Sequence, residues 1–328
     1  MIEEALARSV ASWCPGASGV AAATKLSGGA SQETWSFEIM HPSGNLGAIL
    51  RRAPKGYGAA PTRAAGLAAE ARLMQLAFDA GVPSPRVLHV LTPEDDLGTG
   101  FIMARVEGET IARKILRDAE FAVARPKLAR QLGQIAAGIH GLALQELPEL
   151  RRLTPTQELG ELGREYRSLN WPKPVFELAL RWLGDHDPGP PRAETLVHGD
   201  FRHGNLIIGP DGVRAVLDWE LAHLGDPMED LGWICVNSWR FGEIDKPVGG
   251  FGSREDLFAG YEAAGGKVDA DRVKFYEVMG TLRWGVMCGG MMQRFRLGPD
   301  HSMERAMIGR RASETEIDLL RLVAPRGN

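Results

Sequence analysis

Three oxygen-bearing side chains at fixed offsets are the part of this chain best suited to chemistry. They fall in LVHGDFRHGNLIIGPDGVRAVLDW, from Leu196 to Trp219: Asp200, Asn205 five residues later, and Asp218 thirteen beyond that. An apolar lead-in, Leu196 and Val197, delivers His198, Gly199 and Asp200 into a turn. Leu206 to Ile208 reads as a strand, Pro210-Asp211-Gly212 as a turn, and Val213 to Leu217 as a returning strand. A hairpin comes back to its starting edge, so Asn205 and Asp218 are expected side by side with Asp200 next to them. One carboxylate able to take a proton, plus an amide oxygen and a second carboxylate for a hard cation, is what phosphoryl transfer from Mg-ATP needs. The same stretch admits a second arrangement, in which His198, Asp200 and either His203 or His223 hold iron as a facial triad. That arrangement leaves Asn205 and Asp218 without a purpose. Taken singly, His198 reads as a hydrogen-bonded core histidine that holds the turn.

The run HGDxxxxN followed by a strand, a turn and LDWE resembles the catalytic loop and metal-binding segment of aminoglycoside phosphotransferases and choline kinases. These are small-molecule relatives of the protein kinases, whose signature is HRDxxxxN followed by DFG. The resemblance implies an α+β, two-lobed protein-kinase-like fold, with a small β-rich N-lobe and a larger, mainly helical C-lobe. It implies Asp200 as catalytic base, Asn205 and Asp218 as metal ligands, ATP and Mg²⁺ as cofactors, and a small-molecule hydroxyl as acceptor. A non-catalytic nucleotide-binding module is the alternative, against which the intact Asp200, Asn205 and Asp218 argue.

Other elements must position this segment. Lys25 to Ile39, KLSGGASQETWSFEI, reads as strand, turn and strand. The small residues Gly28, Gly29, Ala30 and Ser31 would let backbone approach a phosphate chain. They resemble the family's nucleotide-covering loop, without a strict GxGxxG. Gly47 to Arg52 is the next strand, where kinases carry a phosphate-holding lysine. The cations here are Arg51 and Arg52, with Lys55 beyond a proline. Arginine can grip phosphate bidentately, and the resemblance favours Arg51. Ala64 to Ala80 is helical, ended by Gly81 and Pro83. Glu70 falls on its apolar stripe of Leu67, Met74, Ala77 and Phe78, so it needs a cationic partner, and the family's fold would supply Arg51. Val87 to Leu91 and Gly100 to Met103 are further strands. Met103 to Glu109 resembles the hinge between kinase lobes, where adenine meets backbone around Ala104 and Val106. The expected division is 1–105 as N-lobe and 106–328 as C-lobe.

Glu120 to Leu144 carries a long helical pattern, and Arg151 to Pro191 looks like an insertion between helices. Gly225-Asp226-Pro227 and Asp230 resemble the family's GDPxxDL segment, and both acids read as structural, capping a helix and bracing the catalytic loop. Met279 to Gly298 contains no acid, but carries Arg283, Arg294, Arg296, Trp284 and four methionines. If it lines the cleft it suits an alcohol with an apolar body, with or without an anionic group. An aminoglycoside, being a polycation, is not the expected acceptor.

Composition narrows the class. The chain has 328 residues, net charge −4 and a pI near 6.1, with acids and bases interspersed and no basic stripe for nucleic acid. No apolar run approaches the ~18 residues of a membrane helix, and the N-terminus lacks a signal-peptide pattern. Cys14, Cys235 and Cys288 are widely spaced without CxxC, as expected of thiols in a reducing cytoplasm.

Overall fold

A computed structural model describes residues 2–26, 32–53, 64–298 and 302–324. Gly28, Gly29, Ala30, Ser31 and Lys55 lie outside the described residues. The architecture is α+β in two lobes. Helix α1 (Ile2–Trp13) leads into strands β1 (Gly19–Lys25), β2 (Glu33–Met40) and β3 (Leu46–Ala53), then α2 (Leu67–Asp79), β4 (Val87–Val90) and β5 (Thr99–Ala104). The five strands form one antiparallel sheet in the order β1-β2-β3-β5-β4.

Alternation along β3 decides which arginine faces inward, because successive side chains of a strand point to opposite faces. Ala48 and Leu50 pack with Phe37, Ile39 and Ile102 against Leu6 and Val10 of α1. Arg52 shares that face and pairs with Glu33 at 2.9 Å. Arg51 projects to the other face, the side of Phe101 and of Leu73, Met74 and Ala77 on α2. Helix α2 starts at Leu67 rather than Ala64, because Gly66 takes a left-handed φ of 87° that no helix accommodates.

The second lobe contains α3 (Ala112–Arg117), α4 (Arg125–His140), α5 (Pro155–Ser168), α6 (Pro174–Asp185), the strands β6 (Thr195–Val197), β7 (Leu206–Gly209), β8 (Gly212–Val216) and β9 (His223–Gly225), and the helices α7 (Met228–Ile234), α8 (Arg254–Ala263), α9 (Ala270–Leu297), α10 (Met303–Gly309) and α11 (Ala312–Val323). The helix expected from Glu120 begins at Arg125, with a proline in its first turn. The stretch expected as an insertion is two ordinary helices. The first opens on a capping box between Thr154 and Gln157, which satisfies two of the backbone donors that helix starts leave unpaired. Strands β7 and β8 form the expected hairpin, and β6 pairs with β9 across the loop between them.

Hydrogen bonds join the first lobe to the hairpin. Glu109, just past the strand β5, exchanges two backbone bonds with Ile208, at 2.9 and 3.0 Å. Ala65, ahead of α2, donates its N–H to the Glu220 carbonyl at 2.7 Å. The helix that carries Glu70 is thereby stitched to the segment that carries Asp218. Among the described residues, no helix is long and apolar enough to cross a membrane.

Candidate active site

The turn between β6 and β7 is built around buried polar groups. Gly199 takes φ +78°, and a Cβ there would meet the Leu221 carbonyl oxygen at 2.5 Å, so only glycine fits. The N–H groups of His198 and Gly199 donate to the two carboxylate oxygens of Asp230, at 2.8 and 3.0 Å. Asp230 is fully buried, and His140 Nε2 lies 3.0 Å from it. Burial alone would raise its pKa, but the His140 partner and the loop N–H groups hold it below the usual carboxylate range. Asp226 accepts the Met228 N–H at 3.0 Å and pairs with Arg272. Both acids sit in structural contacts of the kind read from the sequence.

His198 is wholly buried. Its Nδ1 accepts the Asp200 N–H at 3.2 Å, so its Nε2–H is the one that donates to the Leu217 carbonyl at 3.1 Å. Burial keeps the ring neutral by lowering its pKa. With both nitrogens spent on backbone, His198 has no atom left for iron. His203 Nδ1 is likewise taken by the Gly249 carbonyl at 2.9 Å, and His223 by Leu221 and Glu229. The iron arrangement has no free ligand nitrogen on His198 or His223 to build on.

Asp200 and Asn205 are in contact. The Asn205 Nδ2 donates to Asp200 Oδ2 at 2.7 Å and to the Asp200 carbonyl at 3.0 Å, which leaves the amide oxygen facing elsewhere. Asp200 Oδ1 accepts from Arg202 Nε at 2.9 Å and from Trp233 Nε1 at 2.8 Å. The Leu217 N–H donates to the Asn205 carbonyl at 2.8 Å, which brings Asp218 to the same edge of the hairpin. Asp218 sits at φ 66°, ψ 63°, a left-handed conformation that costs a non-glycine residue about 1 kcal/mol or more and gathers at functional sites.

Opposite Asp218 stands Arg51. Its Nη2 is 2.7 Å from Asp218 Oδ1 and 3.4 Å from Glu220 Oε2, while its Nε is 3.1 Å from Glu70 Oε2. The Arg51–Glu70 pair, expected from helix periodicity together with the family resemblance, is present. Three carboxylates thus share one guanidinium. Burial raises the pKa of Glu70 to about 7, with Arg51 opposing the shift and the charges of Asp218 and Glu220 adding to it. Glu220 is raised for the same reasons. On Arg51 the three carboxylates outweigh burial, so its charge is secure. Carboxylates outnumber cations in this cluster, and the Arg51 guanidinium is the charged group that faces Asp218. Hard oxygen donors on Asn205 and Asp218 beside an excess of negative charge fit Mg²⁺.

The hinge backbone lies at the end of β5. The Ala104 N–H is taken by the Arg86 carbonyl at 2.9 Å and the Arg105 N–H by Gly47 at 2.9 Å. Among the described residues no hydrogen bond is formed by the Val106 N–H.

Three residues at this site were given no role in it by the sequence reading. Glu220 and Arg202 were within reach of it, each two positions from an assigned acid. Trp233 had no local signal, since it meets Asp200 across 33 residues.

Behind the loop lies a buried ion network. Arg283 donates to Glu158 at 3.2 Å, to Glu229 at 3.0 Å and to the Gly199 carbonyl at 3.2 Å. Two carboxylates already neutralise it, so of the three arginines on the acid-free helix this one is engaged within the protein. His223 Nε2 lies 3.1 Å from Glu229. Burial alone would lower its pKa, but the Glu229 carboxylate prevails and raises it to about 9. A folded-state pKa above the ordinary histidine value contributes stability that is complete below pH ~6.5 and fades as pH rises through about 9. Thermal melts between pH 7 and 9.5 are therefore expected to show a loss on the order of 1–3 kcal/mol that His223→Gln lacks. Parallel pH dependence in the two proteins would remove His223 from this role.

An antiparallel sheet beneath a helix, a helical lobe, and a carboxylate loop followed by a hairpin and a second carboxylate define a kinase-like phosphotransferase. The profile of the phosphotransferase enzyme family matches residues 22–267, and the chain belongs to that family. It is 28% identical over 289 residues to mouse acyl-CoA dehydrogenase family member 10, covering 80% of this chain and 26% of the relative. With acyl-CoA dehydrogenase family member 11 of Pongo abelii it is 25% identical over 271 residues, covering 77% and 34%. The chain thus spans about a quarter to a third of the length of these relatives. Among solved structures, an aminoglycoside-phosphotransferase-like protein of Ralstonia eutropha superimposes with TM-score 0.73 at 21% identity, covering 97% of both chains. A ternary complex of aminoglycoside phosphotransferase APH(4)-Ia with AMP-PNP and hygromycin B gives 0.64 at 19%, covering 94% and 96%. Macrolide 2'-phosphotransferase MphH of Brachybacterium faecium gives 0.60 at 17%, covering 99% and 100%. These likenesses establish the kinase-like fold.

Proposed function

We propose that this protein transfers the γ-phosphoryl group of ATP to a hydroxyl of a small molecule, with Asp200 as base. The observation that carries the reading is the joint placement of Asn205 against Asp200 and of Asp218 against the Arg51–Glu70 pair. Asp200 orients the acceptor hydroxyl and takes its proton as the oxygen–phosphorus bond forms. The bond between the γ-phosphorus and ADP breaks in the same transfer. Arg51, braced by Glu70, turns from Asp218 to the phosphate chain when nucleotide arrives, and Gly28, Gly29, Ala30 and Ser31 cover it. Adenine hydrogen-bonds to backbone at Ala104 and Val106. Asn205 and Asp218 would hold Mg²⁺, which would supply positive charge against the phosphates. The boundary between the lobes falls near residue 105, and the cytoplasm is the compartment that fits unpaired thiols.

The acceptor is an alcohol with an apolar body. Trp233, Trp239 and Trp284 cluster with Cys288, Met287, Met291 and Ile308, and this cluster reaches Asp200 through Trp233. Carboxylates that a polycation would need are already engaged, Glu158 by Arg283 and Glu161 by Arg151. A coupled assay of ATP consumption over a panel of hydroxyl compounds tests this. Mg²⁺-dependent turnover at kcat/KM above ~10⁴ M⁻¹s⁻¹ is expected for apolar-bodied alcohols and not for kanamycin-type aminoglycosides. Kanamycin turned over at that efficiency would overturn the acceptor class.

A further inference from the structure

A carboxylate has two oxygens with about four lone-pair sites between them, and at Asp200 the protein fills them unevenly. Oδ1 accepts two donors, Trp233 Nε1 at 2.8 Å and Arg202 Nε at 2.9 Å. Oδ2 accepts one, Asn205 Nδ2 at 2.7 Å. We infer that Trp233 is a positioning residue for Asp200: its indole N–H, with Arg202, fixes one carboxylate oxygen and leaves the other as the oxygen that meets the acceptor hydroxyl. This rests on the reading of Asp200 as base.

The choice of tryptophan follows from what the position demands. Indole N–H donates and never accepts, so it cannot compete for the hydroxyl proton, and it carries no charge that would pull the carboxylate off its partner. A donor of this kind orients only if its ring is held, and the ring is held on two sides. The Arg283 guanidinium lies 4.1 Å over its centroid. Trp239 meets it edge to face at 5.2 Å. Arg283 is itself fixed by Glu158 and Glu229 and reaches the Gly199 carbonyl in the same turn. Trp233 stands three residues after Asp230 on α7, so the two share a helix face. One face of this short helix thereby grips the turn twice, Asp230 by its backbone N–H groups and Trp233 by its carboxylate. Arg202 is the more exposed member of the pair. It is about a quarter exposed and stacks 4.8 Å over Trp239, whereas Trp233 is buried.

Trp233→Phe keeps an aromatic body and removes the N–H. The test uses Mg-ATP alone, with water as acceptor, and reads kcat, KM for ATP, and Mg-AMP-PNP affinity by calorimetry, with Asp200→Asn alongside. A hydrogen bond to a charged group corresponds to ~10-fold in rate. Trp233→Phe is therefore expected to lower kcat ~10-fold while KM and nucleotide affinity stay within about twofold. Should the smaller ring leave the fold unstable, 3-benzothienylalanine at 233 preserves the outline, replaces N–H by sulfur, and carries the same expectation. A wild-type kcat in Trp233→Phe beside an impaired Asp200→Asn overturns the inference and leaves the base in place. A joint loss of kcat and nucleotide affinity assigns Trp233 to packing only, and also overturns it. Unimpaired Asp200→Asn removes the base reading itself, and this inference with it.

Discussion

Asp200→Asn is expected to lower turnover ~10²–10⁴-fold while Mg-ATP affinity changes little. A positioned general base contributes about that much, and a defect confined to kcat marks an interaction made in the transition state. The substitution is conservative in this setting. Asparagine keeps the outline, and its oxygen can take the place of Asp200 Oδ1 against Trp233 and Arg202. Its amide nitrogen then faces the Asn205 nitrogen, where Oδ2 accepts now, so a local repulsion of two donors accompanies the loss of charge. Thermal melting separates the two effects: a folded variant with normal nucleotide binding and near-normal turnover would show that Asp200 is not the base.

Asp218→Ala should reduce Mg²⁺-dependent nucleotide binding by ~100-fold or more, because the proposed mechanism gives Asp218 the charged contact to the metal. The same change releases the Arg51 Nη2 now held at 2.7 Å, and Arg51 keeps Glu70 as its anchor. Binding of ATP in EDTA should therefore survive, so that metal dependence is lost and the nucleotide site is not. Calorimetry with AMP-PNP, with and without Mg²⁺, reads both halves. Unchanged Mg²⁺ dependence would rule out Asp218 as a ligand.

The parts of this site that were legible in the sequence are those carried by local spacing. HGDxxxxN and the hairpin put Asp200, Asn205 and Asp218 at one edge because strand and turn signals are short-range. Glu70 declared its need for a cation by falling on an apolar stripe, and strand alternation explains why Arg51 and not Arg52 answers it. Long-range contacts left no such trace. The Trp233 indole reaches Asp200 only because Asp230, three residues earlier, docks on the loop backbone. Arg283 read as a cation available to an acceptor, since its partners Glu158 and Glu229 come from other helices, 125 and 54 residues away. Element ends also moved where a backbone angle outweighed propensity, as at Gly66. The segment from Arg151 to Pro191 looked irregular for its prolines, yet Pro155 and Pro174 begin helices, where the missing N–H costs nothing.

The most direct measurement follows the phosphoryl group itself. ATP labelled at its γ-phosphate is incubated with Mg²⁺, the panel of hydroxyl compounds, and either wild-type protein or Asp200→Asn. A phosphotransferase built on Asp200 moves the label into an alcohol phosphate ester with the wild type, and more than ~100-fold more slowly with the variant. Label that remains on ATP throughout the panel, or that reaches an ester equally fast with both proteins, would contradict it.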